Sequence, residues 1–339
     1  MKLLTRNQFF IVVASFFIFL GVGYYLFFLP IGYNIKEPLR FEIKKGESIN
    51  SITERLYANG ILKNRLLFKI AVFIYGAERN IKAARYKIGK NLSYLDLVEL
   101  FVFGPADYLK KVRIFDGSTI NNIAQSLSQE IKIDSSEFLS LTSDLNFLRS
   151  LNLNTNSLEG YLLPDDYELY ENSSSKEVIL IFVNNLKEFW NDSLDNQAKN
   201  LKLTQHEVLT LASIIEGETN YPDEMKLISA VYHNRLKKGM KLQSDPTVQY
   251  ALNRPWKRLY YTDLKIDSPY NTYKYYGLPP GPINNPGKEA IIAALYPADV
   301  DYLFFVADGS GKHKFGKTYK EHLDNVKEYR KWLKTKKSD

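Results

Sequence analysis

The 339-residue chain has no cysteine, only 3 Trp and 3 Met, and 4 histidines. Without Cys there is no disulfide framework, no zinc-finger or iron–sulfur site and no thiol nucleophile, so any catalysis runs on oxygen or nitrogen groups. The histidines, at positions 206, 233, 313 and 322, do not have the spacing of a helix-borne metal site. H-E-x-x-H, G-x-S-x-G and Walker motifs are missing too, which removes the usual metalloprotease, α/β-hydrolase and P-loop designs. No metal and no organic cofactor is expected; carboxylate chemistry remains. Charge of one sign is not concentrated either. The 45 Lys+Arg and 38 Asp+Glu give a net charge of +7, but the basic residues are spread among acids, so no nucleic-acid partner is expected. What the chain has in plenty is Tyr, 24 against 20 Phe, rings with a polar tip that suit interfaces with sugars, proteins or lipid headgroups.

The run from Phe9 to Leu29 carries no charge, and a hydrocarbon core of ~30 Å needs about 20 such residues. A signal-peptide apolar region is only roughly 7–15 residues and ends at a small-residue cleavage site. Here the run exits through Leu29-Pro30-Ile31-Gly32 with no such pattern, so an uncleaved single-pass anchor is expected over 9–31. Lys2 and Arg6 on one side face Lys36, Arg40, Lys44 and Lys45 on the other, so flanking charge does not orient it. Long domains translocate largely regardless of charge, and the lack of Cys is compatible with an oxidising exterior. A short cytoplasmic N-terminus (1–8) and an extracytoplasmic bulk are therefore expected.

After a linker over 34–39, an alternating strand runs into a turn at Lys45-Gly46-Glu47, and Ser48 caps a helix with Ile49, Ile52 and Leu56 on one face. A near-copy follows: GESINSITERL (Gly46 to Leu56) lines up with GSTINNIAQSL (Gly117 to Leu127), from duplication or from a shared strand–turn–helix grammar. The unit continuing through Tyr86-Lys-Ile-Gly89 to a helix from Tyr94 to Phe103 reads strand, helix, helix, strand, helix, and resembles a LysM-type wall-binding module over 40–105; a simple spacer is the alternative. From 108 to 335 the chain reads as one larger mixed α/β domain, closed by an amphipathic helix with a basic tail. The overall class is α+β.

Carboxylate candidates concentrate in Leu203 to Thr219. Thr204 with Glu207 fits a capping box, and Val208, Leu211, Ala212 and Ile215 recur as a buried stripe. Glu216 and Glu218 end this helix with side chains diverging by roughly 200°, so only one faces any given cleft. Burial at the end of such a helix raises a Glu pKa toward what a general acid needs. Periodicity does not choose between the two. Glu159 is a further acid, read more readily as half of a buried ion pair.

The blocks LASIIEGET (Leu211 to Thr219), ISAVYHNRLKKGMKLQSDPTVQYAL (Ile228 to Leu252) and SPYNTYKYYGLPPGPINNPG (Ser268 to Gly287), flanked by EGYLLPDDY (Glu159 to Tyr167) and YLFFVADGSGKHKFGKTYKEH (Tyr302 to His322), resemble the YceG-like endolytic murein transglycosylases. With the anchor and the LysM-like unit, the resemblance runs along essentially the whole chain. It implies an inner-membrane enzyme with its catalytic domain on the periplasmic side. Such an enzyme cuts nascent peptidoglycan strands between N-acetylmuramic acid and N-acetylglucosamine, leaves 1,6-anhydro ends, and works beside peptidoglycan synthases. It also implies Glu218 as the catalytic acid/base. Gln243 and Asp245 become hydrogen-bonding candidates in the substrate cleft, and Tyr270, Asn271 and Tyr273 offer rings and an amide for sugar faces and edges. The net positive charge then fits work beside anionic lipids and wall polymers. Gly217 stands where the family often has a basic residue, an expected source of flexibility at the helix end, and Asp166 replaces a common Thr. A catalytically silent, membrane-anchored wall-binding scaffold is the alternative.

Overall fold

The computed structural model describes residues 5–33, 38–255 and 257–335. Residues 1–4 of the expected cytoplasmic segment, most of the 34–39 linker and the end of the basic tail lie outside the described residues. The chain divides into two compact units, 1–110 with 170–172, and 111–169 with 173–339.

The first unit opens with α1 (Arg6–Phe28), 23 residues with no buried side chain. At 1.5 Å per residue it is about 34 Å long, and among the described residues it is the one helix long and apolar enough to cross a membrane. Then follow β1 (Leu39–Ile43), α2 (Ile49–Ala58), α3 (Arg65–Ile74), β2 (Ala84–Ile88), α4 (Tyr94–Phe103) and β3 (Ala106–Asp107). These are the elements expected from the pattern, with β3 added. The sheet order is β1-β2-β3, antiparallel, with Phe41 opposite Tyr86 and Tyr86 opposite Ala106. One face of the sheet is covered by helices because Ile52 and Leu56 of α2, Phe68 and Val72 of α3, and Leu97 and Phe101 of α4 all point inward. Ile31 and Tyr33 belong to the same core, so it begins before residue 40. Tyr33 donates to the Gly89 carbonyl at 2.6 Å, stitching the segment after α1 to the turn that follows β2.

The two similar sequence blocks fold alike. Gly46 and Gly117 both sit at left-handed φ, 77° and 74°, which a side chain disfavours, and Ser48 and Thr119 cap the helices that follow.

β4 (Leu109–Arg113) pairs with β5 (Asp166–Tyr170). Between them lie α5 (Ile120–Ile131), α6 (Ser135–Leu141) and α7 (Leu145–Ser150). After β5 come α8 (Ser175–Phe189), α9 (Asp192–Asn200), α10 (Gln205–Glu218), α11 (Pro222–Lys237) and α12 (Asp245–Leu252). A long loop holding one 3-10 turn leads to α13 (Lys288–Leu295), the hairpin β6 (Phe304–Ala307) and β7 (His313–Gly316), and α14 (Tyr319–Thr335). The second core gathers around α10, which packs on α11, α12 and α13. The expected capping box of Thr204 and Glu207 starts it. Every residue from Val208 to Ile215 is buried, more than the one-sided stripe read from the sequence, because small side chains (Thr210, Ala212, Ser213) fill the positions between the large ones.

Phe101 is fully buried and touches the rings of Phe41, Phe68 and Tyr86. Phe101→Ala is expected to cost the first unit about 3–5 kcal/mol. Hydrogen exchange on the detergent-solubilised chain checks this: amides of β1, β2 and α4 should lose protection while those of α10 keep theirs.

Candidate active site

The end of α10 delivers two carboxylates into the second unit, on different sides, as their spacing requires. Glu216 Oε2 accepts from the backbone N–H of Gly287, the residue before α13, at 3.0 Å. Its pKa is pushed up to about 7, by burial first, against that hydrogen bond, with the neighbouring charge of Asp116 adding to the rise. Glu216 thereby ties α10 to the start of α13.

Glu218 goes the other way. Its Oε1 accepts from the hydroxyl of Tyr232 on α11 at 2.6 Å and from Ser244 Oγ at 2.6 Å. Burial raises its pKa above the ordinary carboxylate value; the two hydrogen bonds work against burial, Asp245 adds to the rise, and His313 opposes it. No hydrogen bond to Oε2 is found among the described residues. Tyr232 is fully buried, with its ring edge-on to Phe305 of β6. Ser244 precedes α12 in the N-cap place, yet its side chain caps nothing. Its hydroxyl goes to Glu218 instead, and Pro246 in the first turn has no N–H that a cap could serve.

The surroundings hold this pair of donors in place. Gln243 takes a left-handed φ of 51°, its N–H on the Thr272 carbonyl, and Ser244 N–H donates to Thr272 Oγ1 at 2.9 Å. Arg235, one turn after Tyr232, donates to the carbonyls of Leu242 and Leu303 at 2.5 and 2.7 Å. Glu224, at the start of α11, accepts from His313 through both the backbone N–H and Nδ1, at 2.9 and 3.0 Å, and from Thr219 Oγ1 at 3.4 Å.

Of the other residues expected at the site, Gln243 is exposed beside Ser244. Asp245 is exposed in the first turn of α12 and accepts from the Tyr273 hydroxyl at 2.6 Å. Glu218, Asp245 and Tyr273 lie within electrostatic reach of one another. Tyr270 is half-buried, its ring 4.8 Å from that of Tyr250. Asn271 does not offer its amide to a sugar edge as expected. It is fully buried, with Nδ2 on the carbonyls of Leu264 and Ile266 and Oδ1 on the Tyr273 N–H, because a polar amide taken out of water must find partners in the loop it holds.

Among the described residues Glu159 has no cationic partner, contrary to the ion-pair expectation. Its Oε1 accepts from the Ile120 N–H at the start of α5 and from Asn285 Nδ2, at 3.0 and 2.9 Å. Gly217 is a packing position and not a loose joint, since a Cβ there would lie 2.8 Å from Pro246 Cβ. Beside this Gly217–Pro246 contact opens a cleft of about 860 Å³, lined among others by Glu159, Gln249, Tyr250, Tyr270 and Asn284. The roles of Tyr232 and Ser244 carry no sequence signal of their own: Tyr232 reads as helix core, and Ser244 before Asp-Pro reads as a cap.

Comparison with known proteins identifies the family. The YceG-like family model matches residues 41–328. The chain is 32 % identical over 314 residues to an endolytic murein transglycosylase of Bacillus subtilis, covering 88 % of this chain and 87 % of that protein. It is 30 % identical to one from Streptococcus pneumoniae, over 94 % of this chain but only 65 % of the longer pneumococcal protein. A crystal structure of a yceG-like protein from Listeria monocytogenes superposes with a TM-score of 0.60 at 33 % identity, over 86 % of this chain and 99 % of that one. With the α10 carboxylates, the 243–247 segment and the 268–287 loop inside the matched span, the chain belongs to the YceG-like family.

Proposed function

We propose that this protein is an endolytic murein transglycosylase, a lyase that cuts peptidoglycan strands within the strand and leaves 1,6-anhydro-N-acetylmuramic ends. The observation that carries the reading is the carboxyl of Glu218, drawn out of water and held at one oxygen by two hydroxyl donors. With Oε1 taken by Tyr232 and Ser244, the acidic proton belongs on Oε2. That proton passes to the glycosidic oxygen as the C1–O bond breaks. The C6 hydroxyl of the same sugar closes on C1, and its proton returns to Glu218, now ionised. No water is consumed and no second carboxylate nucleophile is needed, which suits a helix end that aims only one Glu at this side.

Gln243, Asp245 and Tyr273 form the rim beside Glu218 and are the groups placed to bond sugar hydroxyl and N-acetyl groups, with Tyr270 as a ring surface. Asn271 contributes by holding the loop that carries Tyr273. The α1 helix is read as the membrane anchor, with the enzyme on the periplasmic side, where its substrate is made and peptidoglycan synthases work. The small β1–β3 unit is read as a LysM-like wall-binding module.

The test is incubation of the detergent-solubilised protein with uncrosslinked glycan strands, with products read by mass spectrometry. Products lighter by one water than hydrolytic ends are expected, and Glu218→Gln should slow their formation by roughly 10²–10⁴-fold. Hydrolytic ends, or full activity in that variant, would overturn the assignment.

The hydroxyl of Tyr232 stabilises the ionised form of Glu218, so removing it raises the pKa further. Activity needs the protonated acid and falls as pH rises through that pKa. Tyr232→Phe should therefore move the alkaline limb of the pH–rate profile to higher pH, by up to about one unit, the equivalent of ~1.4 kcal/mol. A profile unmoved by this change would show that Tyr232 does not act on Glu218.

A further inference from the structure

We infer that the cleft beside Gly217 and Pro246 is a binding site for a neutral unit bearing a secondary amide, held by Asn284, Gln249, Arg254 and Glu159. The inference rests on the peptidoglycan reading for the identity of that unit. At about 860 Å³ the cleft falls within the range of roughly 300–1,000 Å³ typical of ligand sites.

Three buried polar atoms of its lining have no partner among the described residues: Asn284 Oδ1, Gln249 Oε1 and Arg254 Nε. Native structures rarely leave such atoms unpaired, because a buried polar atom without a partner has lost its water for nothing. Asn284 is only 6 % exposed, and its orientation is set, because Nδ2 donates to the Ser213 carbonyl of α10 at 2.9 Å. Gln249 is set in the same manner by its Nε2 on the Lys257 carbonyl. Both amides therefore keep an acceptor for an N–H or O–H brought by a ligand.

Glu159 supplies the opposite polarity. Its Oε1 is occupied, and Oε2 has no hydrogen-bond partner among the described residues. Burial pushes its pKa up to about 8, against its two hydrogen bonds, so near neutral pH it is a carboxylic acid with an O–H to donate. The titratable groups acting on it are Tyr250 of α12 and Tyr270 of the following loop, both kept protonated by burial; the start of α5 brings only the Ile120 N–H, and Asn285 is neutral. Arg254 in the same cleft has its Nη2 on Asp263 at 2.9 Å, which balances its charge. Two acceptors and two donors without net charge match the N–H and C=O of an amide better than a carboxylate or phosphate, and the Tyr250 and Tyr270 rings, tilted by 52° to each other, offer an apolar corner for a methyl group or ring edge. In peptidoglycan that amide comes from the N-acetyl group of a sugar or from the stem peptide.

The full-length Glu218→Gln protein in detergent, which leaves its ligand uncut, is titrated calorimetrically with an N-acetylglucosamine tetramer, with a glucose tetramer of the same linkage, and with an end-blocked pentapeptide. Binding of the N-acetylated tetramer or of the peptide, but not of the glucose tetramer, is expected, and which of the two binds identifies the source. Adding Gln249→Ala should weaken it about tenfold, the equivalent of ~1.4 kcal/mol. Binding should fade as pH rises through about 8, whereas adding Glu159→Gln, which keeps an N–H donor in place of the acid, should preserve it at pH 9. Equal binding of the glucose tetramer, no binding of either amide probe, or indifference to both substitutions would overturn the inference. Because the readout is binding to an inactive variant, it stands or falls separately from the product assay for Glu218.

Discussion

Burial of α10 around its whole circumference is the constraint on which the second unit depends. A helix with water on one side can leave its terminal carboxylates solvated; one enclosed from Val208 to Ile215 carries them into the protein, where an unsatisfied charge is costly. The structure meets that cost twice, by different means. Glu216 receives a backbone N–H from Gly287 and becomes a tie between helices. Glu218 receives two hydroxyls at a single oxygen, which leaves the other without a hydrogen bond among the described residues. The helical angle between the two residues makes this division of labour possible.

A second set of ties holds the loops against α10. Ser213 accepts at Oγ from the Ile283 N–H and, through its carbonyl, from Asn284 Nδ2. Asn285, fully buried, uses its whole amide: Oδ1 accepts from the N–H groups of Gly160 and Leu162, and Nδ2 donates to the Ser118 carbonyl and to Glu159. Segments far apart in sequence, around residues 118, 160 and 285, are joined through one side chain. An amide satisfied at both ends, as Asn285 is, specifies one arrangement of loops more sharply than apolar packing does. They also explain why the Asn-rich stretch of the 268–287 loop is only partly available to a ligand: Asn271 and Asn285 are consumed by structure, whereas Asn284 keeps one acceptor unused.

The same economy appears at the start of α12. Ser244 stands where a serine ordinarily serves the helix, and its hydroxyl is diverted to Glu218. Asp245, next in line, joins Tyr273, and Pro246 fills the space over Gly217. One short segment thus provides a donor to Glu218, an acceptor for Tyr273 and the packing at the end of α10.

Much of this was legible in the residues alone. The uncharged run of α1 announces itself by length, the capping box and the turn glycines by local chemistry, and the elements of the small unit by period, since each depends on neighbours in sequence. The divergence of Glu216 and Glu218 also follows from the helix period. Their different fates do not, because the groups that meet them, Gly287, Tyr232 and Ser244, come from distant parts of the chain. Sequence pattern likewise assigned Glu159 a counter-ion and Asn271 a ligand. Folding gave the first a helix N–H with an asparagine amide and the second three backbone groups of its own loop. Local periodicity settles which residues leave water; which partner each buried polar group then finds is a long-range property, and only the tertiary structure decides it.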